Sequence, residues 1–285
     1  MTAPAGTTSY VDLHMHSTAS DGSRSPADVV RAAKKASLVA IALTDHDTVA
    51  GLEEARAAGE ELGVRVINGV ELSAVEGETE THLLGLHLRD TGVLERGLGA
   101  LREMRERRAM QIVERLAVSG VQITYDDVLA QAGGGAVGRP HVARAMIAHG
   151  WAADARDAFD RYLGAGRPAY VAKEPLRMQD AVAMIHEAGG IAVLAHPGGS
   201  GTRERVEALA ALGMDGVEVK HPSHSSSDTS RLRGLVETLG LVPSGGSDWH
   251  GAAEGPRTIG MMQVPYEWLA RQDERVAALG RVPAA

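Results

Sequence analysis

The sequence predicts an α/β barrel, and two patterns support this fold class. Short β-rich segments recur along the chain, and each is followed by a helix-like stretch, which is typical of a parallel sheet surrounded by helices. With 285 residues, of which 44% are hydrophobic, the chain can bury one large core, or one core and a small inserted subdomain. The seven predicted strands span residues 10–14, 38–44, 64–71, 81–88, 191–195, 216–220 and 241–244.

The segments between the predicted strands carry helix signals. Residues 26–36 open with a proline that follows a serine, and residues 48–62 are rich in Ala, Glu and Arg and end at Gly63. Residues 178–187 form another helix-like stretch, which leads through two glycines into the fifth strand. We therefore expect amphipathic helices packed outside the barrel.

Between residue 94 and about residue 170 the pattern changes to helices only, with a glycine-rich break at residues 133–135. We interpret this region as a helical insertion. The predicted domains are listed by residue: a discontinuous barrel of residues 8–93 and 171–265, the insertion of residues 94–170, and a C-terminal helix or tail of residues 266–285.

Composition limits the chemistry and the partners. The chain has no cysteine, which excludes disulfides, thiolate metal sites and a cysteine nucleophile, and leaves His, Asp and Glu as strong metal ligands. A formal charge of -8 argues against a broad basic surface for long nucleic acids, and five Tyr, three Trp and one Phe are few for a base-stacking platform. The partner predicted from these features is a small phosphorylated molecule.

Neither a membrane span nor a secretion signal is expected. No apolar run reaches the roughly 18 residues that a transmembrane helix requires. The first ten residues contain no Lys or Arg and no apolar core of a signal peptide. These features predict a cytoplasmic protein.

The first chemical signal is the motif VDLHMH at residues 11–16, which is followed by Asp21 in the sequence SDG. Residues two apart in a strand point to the same side, so His14 and His16 converge on one point, as a chelating pair does. Two neutral imidazoles suit zinc, manganese or iron. The alternative is that one or both are ordinary polar residues at a strand end.

The second signal is the motif TDHD at residues 44–47, directly after an apolar strand. Ionisable side chains in a row do not fit a barrel core without partners, so we place them at the carboxyl end of the strand. The alternative is a helix N-cap, with Asp45 or Asp47 capping a helix that starts at Val49. Glu71 ends the next strand and His82 opens the one after it, and each is a weak signal when taken singly.

Two further strands deliver the same residue types. His196 follows the apolar strand AVLA, and Asp248 and His250 follow the last predicted strand. A polar loop residue explains any one of them. Together, however, five predicted strands bring ionisable ligands to one end of the barrel, which is where barrel active sites are built.

The motifs DLHMHSTASDG, TDHD, NGVELS, LAHPG and GSDWHG resemble those of the PHP (polymerase and histidinol phosphatase) family, and they extend over residues 11–251. The resemblance implies a distorted (βα)7 barrel, here with a small helical insertion, and a trinuclear centre of divalent Mn, Zn or Fe. It implies three sites, formed by His14, His16, Glu71 and Asp248, by Glu71, His82 and His196, and by Asp21, His46 and His250. Some family members have a His where this chain has Asp21, and His87 is an alternative to His82.

Within that family, the insertion and the phrases GRPH and LAHPG resemble the nucleoside 3',5'-bisphosphate phosphatases and related 5'-to-3' RNA exonucleases. Arg105 and Arg108 are three apart on a predicted helix and can grip one phosphate, or they can form a solvated face. Arg139 and His141 stand at a helix start, a favourable place for an anion, although a simple helix start explains them too. His224 either lines the pocket or caps a loop.

The sequence therefore predicts a metal-dependent phosphoesterase that removes the 3'-phosphate from nucleoside 3',5'-bisphosphates, with Asp21 and His250 assisting the chemistry. The alternatives are an exonuclease that trims short RNA from the 5' end, and another small-molecule phosphatase such as histidinol phosphatase. A module that binds metal or a partner without catalysis is the non-enzymatic alternative.

Overall fold

The computed structural model describes residues 9–77, 79–132, 137–172, 176–253, 255 and 257–280. The glycine-rich break expected at residues 133–135 lies outside these described residues. Contacts divide the chain into two compact units, the first made of Met1–Glu95 with Leu176–Ala285 and the second of Arg96–Pro175. The domain bounds drawn from the sequence stay a prediction.

The first unit contains the sheet and the helices around it. Its strands are β1 (Tyr10–Asp12), β2 (Ala40–Leu43), β3 (Arg65–Glu76), β4 (Thr79–Leu86), β5 (Leu176–Arg177), β6 (Ile191–Leu194), β7 (Gly216–Lys220), β8 (Val242–Gly245) and β9 (Val264–Pro265). Its helices are α1 (Pro26–Lys35), α2 (Leu52–Leu62), α7 (Met178–Glu187), α8 (Arg203–Ala211), α9 (Ser226–Leu239) and α10 (Tyr266–Ala278). The boundary between the units falls within α3 (Thr91–Val118).

The strands follow the order β8-β7-β6-β4-β3-β2-β1-β9, and β5 pairs with β3 beside this path. This α/β barrel confirms the predicted fold class. The expectation that every strand runs parallel is wrong for β4, which is antiparallel to both β3 and β6. Only two residues separate β3 from β4, whereas a parallel crossover needs a dozen or more, so the chain can only turn back as a hairpin.

The reversed direction of β4 decides where His82 lies. His82 stands near the start of β4, and it pairs in register with Ser73, close to the carboxyl end of β3. The beginning of an antiparallel strand lies beside the ends of its parallel neighbours. His82 therefore reaches the same end of the barrel as the side chains that follow β1, β2, β6 and β8.

The first helices show why these segments fold as they do. Ser25 caps α1 by accepting a hydrogen bond from the backbone N–H of Asp28, and Pro26 occupies the first turn, where its missing N–H costs nothing. Val29 and Val30 on α1 are fully buried in a cluster that includes residues of β2 and α2. Each such burial contributes about 1.5–3 kcal/mol to folding.

The barrel closes where the segment after β1 meets the segment after β8. The backbone N–H of Leu13 donates to Gly245 O at 3.1 Å, and that of Asp248 donates to His14 O at 2.9 Å. The two backbones approach so closely that a Cβ on Gly246 would lie 2.4 Å from His14 Cβ. Only glycine fits at this position, and the contact brings the residues around His14 and Asp248 together.

The described residues of the second unit form helices and the loops between them, without a strand. It contains most of α3, followed by α4 (Tyr125–Ala132), α5 (Arg139–Ala148) and α6 (Ala155–Ala158), which continues into a π-helical turn at Phe159–Leu163. Its own core contains buried residues from each of these elements, including Leu116, Val128 and Met146. None of the helices in the described ranges combines the length and apolar character that crossing a bilayer demands.

The Gly246→Ala variant tests the closure. The added methyl group would overlap His14, so we expect a loss of about 1–3 kcal/mol in the free energy of unfolding, measured by urea denaturation. Gly234→Ala on α9 is the matched control, because nothing lies within 4 Å of its added Cβ, and it should be neutral or stabilising by about 0.5–1 kcal/mol. Equal stability of the two variants would contradict the close approach.

Candidate metal centre

Glu71 lies near the middle of β3 with its side chain only 1% exposed, and histidine rings surround it. Three ring nitrogens approach Oε2: His14 Nε2 at 3.1 Å, His16 Nε2 at 3.3 Å and His46 Nδ1 at 3.3 Å. These histidines come from the segments that follow β1 and β2. One carboxylate oxygen thus contacts three histidines from the segments after two strands.

The other oxygen of Glu71 collects two more rings. His82 Nδ1 lies 2.9 Å and His196 Nε2 lies 3.0 Å from Oε1. Since His196 follows β6 and His82 lies on β4, the two oxygens of one carboxylate reach histidines from opposite sides of β3 in the sheet order. The arrangement can place a cation on each side of Glu71.

Asp248 adds a second carboxylate next to the first group. Its Oδ1 lies 3.2 Å from His16 Nε2 and 3.5 Å from His14 Nε2. Both Asp248 and His196 have positive φ angles, 50° and 29° respectively, which residues other than glycine rarely adopt. Such backbone strain at residues that share a cluster is common at functional sites.

A third group lies at the exposed edge. His250 Nε2 is 3.3 Å from Asp21 Oδ1, and His46 Nε2 is 3.9 Å from Asp21 Oδ2. His250 is held through its other nitrogen, Nδ1, which lies 2.9 Å from the backbone oxygen of Asp248. Asp21 is 54% exposed, so it is the member of the cluster that solvent reaches most easily.

The structure thus brings together all nine predicted metal ligands. Four groups of side chains have ligand atoms within 4.8 Å of one another: His16, Asp21, His46 and His250; His14, His16, Glu71 and Asp248; His14, Glu218 and His221; and His46, Glu71 and His82. The donor set fits divalent metals, because it consists of imidazoles and carboxylates without a thiolate. Among the described residues, His16 Nδ1 is buried without a hydrogen-bond partner, as expected of a nitrogen whose function is to bind a cation.

The carboxylates and the rings shift one another's pKa values. Burial alone would raise the pKa of Glu71, but the charge of His14 and hydrogen bonds from His14, His16 and His196 hold it well below its usual value. Burial would lower the pKa of His14, but Glu71 and Glu218 raise it well above its usual value. Burial would also lower the pKa of His16, but its hydrogen bonds to Asp248 and Glu71 outweigh this effect and raise the pKa to about 9.

The pKa values of His82 and His46 shift in opposite directions. The pKa of His82 rises to about 9 despite its burial, because Glu71 and Glu80 lie beside it. For His46 burial outweighs the attraction of Glu71, so its pKa falls to about 4 and its ring is neutral at pH 7. The cluster without metal is therefore a set of carboxylates whose charge is balanced by protons on imidazoles.

The two aspartates of TDHD do not cap a helix. The helix expected from Val49 begins at Leu52, its N-cap is Gly51, and no side chain caps it. Asp45 instead accepts hydrogen bonds from Ser17 and Ser20, which fixes the loop that carries Asp21. The N-cap alternative is wrong because four residues, 48–51, separate the motif from the helix.

Asp47 and His87 also have structural partners. Asp47 accepts hydrogen bonds from the backbone N–H and the hydroxyl of Ser73 on β3. His87 lies beyond the end of β4, with its Nε2 3.1 Å from Gln272 Oε1 on α10. His82, and not His87, faces Glu71.

Three residues of the cluster were not among the predicted metal ligands. Glu218, in the middle of β7, lies 3.2 Å from His14 Nδ1, and His221 Nε2 lies 3.3 Å from Asp248 Oδ2. Arg257 forms an ion pair with Asp248. An acid inside the apolar segment GVEVK was a usable signal for Glu218, whereas nothing in the local sequence marks Arg257.

The candidate substrate-binding residues have the following places. Arg108 Nε donates to Val171 O at 2.9 Å, and the Arg139 guanidinium lies over the rings of Phe159 and Tyr170. The His141 side chain accepts from the backbone N–H of Gly138 at the start of α5. Arg105 lies on α3 in the second unit and also has an interaction partner. Contact of these side chains with a substrate stays a prediction.

His224 holds a loop of the first unit. Its Nδ1 lies 3.0 Å from Val219 O, and its Nε2 accepts from the backbone N–H of Gly198 at 3.1 Å. Gly198 begins the short turn that follows His196 and Pro197. The loop-anchoring alternative for His224 is therefore present in the structure, and its role toward a substrate stays a prediction.

Comparisons with known proteins agree with this geometry. A profile of the PHP domain matches residues 12–171. The chain is 37% identical over 257 residues to a 3',5'-nucleoside bisphosphate phosphatase of Chromobacterium violaceum, covering 88% of this chain and 90% of that protein. It is 36% identical over 253 residues to a 5'-3' exoribonuclease of Haemophilus influenzae, covering 85% and 90%.

Two solved structures share the fold over almost the whole chain. A protein assigned as a metal-dependent phosphoesterase from Bifidobacterium adolescentis superposes with a TM-score of 0.79 and 32% identity, covering 95% of this chain and 97% of that one. An amidohydrolase from Chromobacterium violaceum, solved with bound sulfate and no metal, gives a TM-score of 0.74 and 34% identity, covering 92% and 97%.

Metal binding should release protons. At pH 8 the imidazoles of His16 and His82, with pKa values of about 9, are mostly protonated, and a protonated ring cannot ligate a metal. We expect at least these two protons to leave when Mn²⁺ binds at this pH, with a further one from His14, whose pKa is also raised, and the affinity to rise as the pH approaches 9. Calorimetry in buffers of different ionisation enthalpy counts these protons. Binding without any proton release at pH 8 would contradict this account.

Proposed function

Because the chain belongs to the PHP domain family, we propose that it hydrolyses the 3'-phosphate of nucleoside 3',5'-bisphosphates, giving a nucleoside 5'-monophosphate and phosphate. The observation that carries this proposal is the convergence of the nine predicted ligands around Glu71 in a chain that matches a named bisphosphate phosphatase over 88% of its length. Its relatives confirm the broader prediction, a metal-dependent phosphoesterase.

The proposed metal centre holds three divalent ions of Mn, Zn or Fe. His14, His16, Glu71 and Asp248 would hold the first, and Glu71, His82 and His196 the second. Asp21, His46 and His250 would hold the third. Mixed imidazole and carboxylate donors suit these metals better than calcium or magnesium, which prefer oxygen ligands.

When bound, such ions polarise the phosphoryl group and lower the pKa of the attacking water. The side chains of the cluster would hold the phosphate and would help to protonate the leaving oxygen. Asp21 and His250, which would hold the third ion, would help to bind the phosphate there and assist protonation of the leaving oxygen, since Asp21 is half exposed to solvent and His250 is fixed through Nδ1. Water attacks phosphorus directly, so no covalent enzyme intermediate is required.

One observation supports phosphate as the group bound here. The solved amidohydrolase carries sulfate, which has the tetrahedral shape and the negative charge of phosphate. A second phosphate on the substrate calls for additional cations, and Arg105, Arg108, Arg139 and His141 remain the candidates, with His224 near His196. Such a second contact would make a bisphosphate a better substrate than a monophosphate.

The second candidate function is a 5'-to-3' exonuclease on short RNA. Its specific support is the 36% identity with the exoribonuclease of Haemophilus influenzae. The same cluster could act on a phosphodiester, since the attacking water and the metals are common to both reactions. The formal charge of -8 favours the small substrate over a longer polyanion.

Phosphate release from adenosine 3',5'-bisphosphate, AMP and a 5'-phosphorylated short RNA, each with the Mn²⁺-loaded protein, tests the substrate. We expect rapid loss of the 3'-phosphate from the bisphosphate and slow action on AMP. Release of mononucleotides from the RNA, without action on the bisphosphate, would overturn the choice of substrate and keep the metal cluster.

Substitutions in the cluster test its role. Asp21→Ala and His196→Ala should each lower kcat/KM by about 100-fold or more, because each removes a proposed ligand of an ion that acts on the phosphate. His186→Ala is the matched control: His186 also pairs with a carboxylate, Asp215, at 2.8 Å and is exposed to a similar extent, 24% against 29% for His196. It should retain activity. Full activity of Asp21→Ala or His196→Ala would refute the cluster assignment.

A further inference from the structure

Glu218 is a fully buried acid on β7, and none of the three proposed metal sites uses it. Its Oε1 lies 3.2 Å from His14 Nδ1, and its Oε2 lies 3.4 Å from the same nitrogen. Its Oε2 also accepts the backbone N–H of His196 at 2.7 Å. One side chain therefore holds two of the proposed metal ligands, the ring of one and the backbone of the other.

The contact with Glu218 determines which nitrogen of His14 can bind a metal. Nδ1 faces Glu218, while Nε2 lies 3.1 Å from His16 Nε2 and 3.1 Å from Glu71 Oε2, inside the cluster. A carboxylate that accepts the proton of Nδ1 leaves a lone pair on Nε2, which is the form of imidazole that ligates a metal. The ring is also prevented from rotating away.

The contact with His196 acts on the backbone. His196 follows β6 with a φ of 29°, a conformation that needs support from its surroundings. The hydrogen bond from its N–H to Glu218 supplies such support at the point where the chain leaves the strand. It thereby directs the ring, whose Nε2 reaches Glu71 Oε1 at 3.0 Å.

We propose that Glu218 is a positioning residue that holds His14 and His196 in the geometry required for metal binding, without being a metal ligand itself. This inference rests on the proposed function, because it takes both histidines as ligands. The two histidines belong to different proposed sites, one with His16 and Asp248, the other with His82. Glu218 thus couples the assembly of two sites through one carboxylate.

Glutamine cannot replace Glu218 in both contacts. Its amide has one oxygen, so it can accept from His14 Nδ1 or from the N–H of His196, and its NH₂ group then faces the other donor. Aspartate keeps the negative charge and both acceptor oxygens, but its side chain is one methylene shorter, so the carboxylate cannot reach both donors. Comparison of the two variants separates the effect of position from that of charge alone.

Asp215 provides a matched control on the same strand pair. It is also a buried acid next to β7, its Oδ2 lies 2.8 Å from His186 Nε2, and it accepts the backbone N–H of Ala192 on β6 at 3.0 Å. It repeats the contacts of Glu218 at the opposite end of β6 and β7. Asp215→Asn therefore measures the general cost of neutralising a buried acid that bridges a histidine and a backbone N–H.

The experiment measures Mn²⁺ binding by calorimetry on the 285-residue chain after metal has been removed with EDTA. It compares the wild type with Glu218→Gln, Glu218→Asp and Asp215→Asn. Circular dichroism checks that each variant folds. We expect both Glu218 variants to bind about 10- to 100-fold more weakly with unchanged stoichiometry, and Asp215→Asn to bind like the wild type. The rise in Tm on adding Mn²⁺ should shrink only in the Glu218 variants.

Each other outcome overturns a defined statement. Wild-type Mn²⁺ affinity in Glu218→Gln would refute the positioning role. Wild-type affinity in Glu218→Asp would also refute it, and would leave only an effect of the negative charge. Loss of one bound ion from the stoichiometry would make Glu218 a ligand. Equal weakening in Asp215→Asn, or failure of only the Glu218 variants to fold, would assign the residue to the fold. A wild-type chain that binds no Mn²⁺ would instead refute the proposed function.

Discussion

The carboxylate of Glu71 is 1% exposed, and both of its oxygens lie within 3.3 Å of histidine nitrogens contributed by four different strands or the segments after them. A buried, ionised carboxylate without compensation would cost several kcal/mol. Here the imidazoles compensate it, and their own pKa values rise in return for His14, His16 and His82. The same electrostatic balance that lets the acid stay inside the barrel makes the site selective for cations, because a divalent ion can replace the bound protons.

This arrangement depends on the way the barrel is closed. The predicted ligands after β1 and after β8 meet only because Gly246 allows the backbone to pass against His14, and the predicted ligand on β4 lies at the same end of the barrel only because β4 runs antiparallel. Around the ligands, other polar residues secure the loops: Asp45 holds the loop of Asp21, and Glu218 and His221 hold His14 and Asp248. A metal centre of this kind is therefore a property of the whole barrel and not of one motif.

Much of the site was predictable from the sequence because its ligands follow apolar strands in short motifs. A histidine, aspartate or glutamate at the end of such a strand stands out, as His196 and Asp248 do. The antiparallel course of β4 was harder to recognise, since the segment around His82 has the same local character as its parallel neighbours. Only the short connection after β3 indicated a hairpin. Asp45 and Asp47 were ambiguous because a capping aspartate and a loop-anchoring aspartate look alike in sequence.

The fold class, the donor types and the end of the barrel at which they gather could be predicted from the sequence, because hydrophobic periodicity and the position of charges after strands are local properties. The tertiary structure alone decided which atoms face one another. It shows that Glu71 is shared by five histidines, that Glu218 bridges His14 and the backbone of His196, and that Arg257 pairs with Asp248. These contacts join residues up to 204 positions apart, and no local pattern encodes the distance between side chains that meet only after the barrel closes.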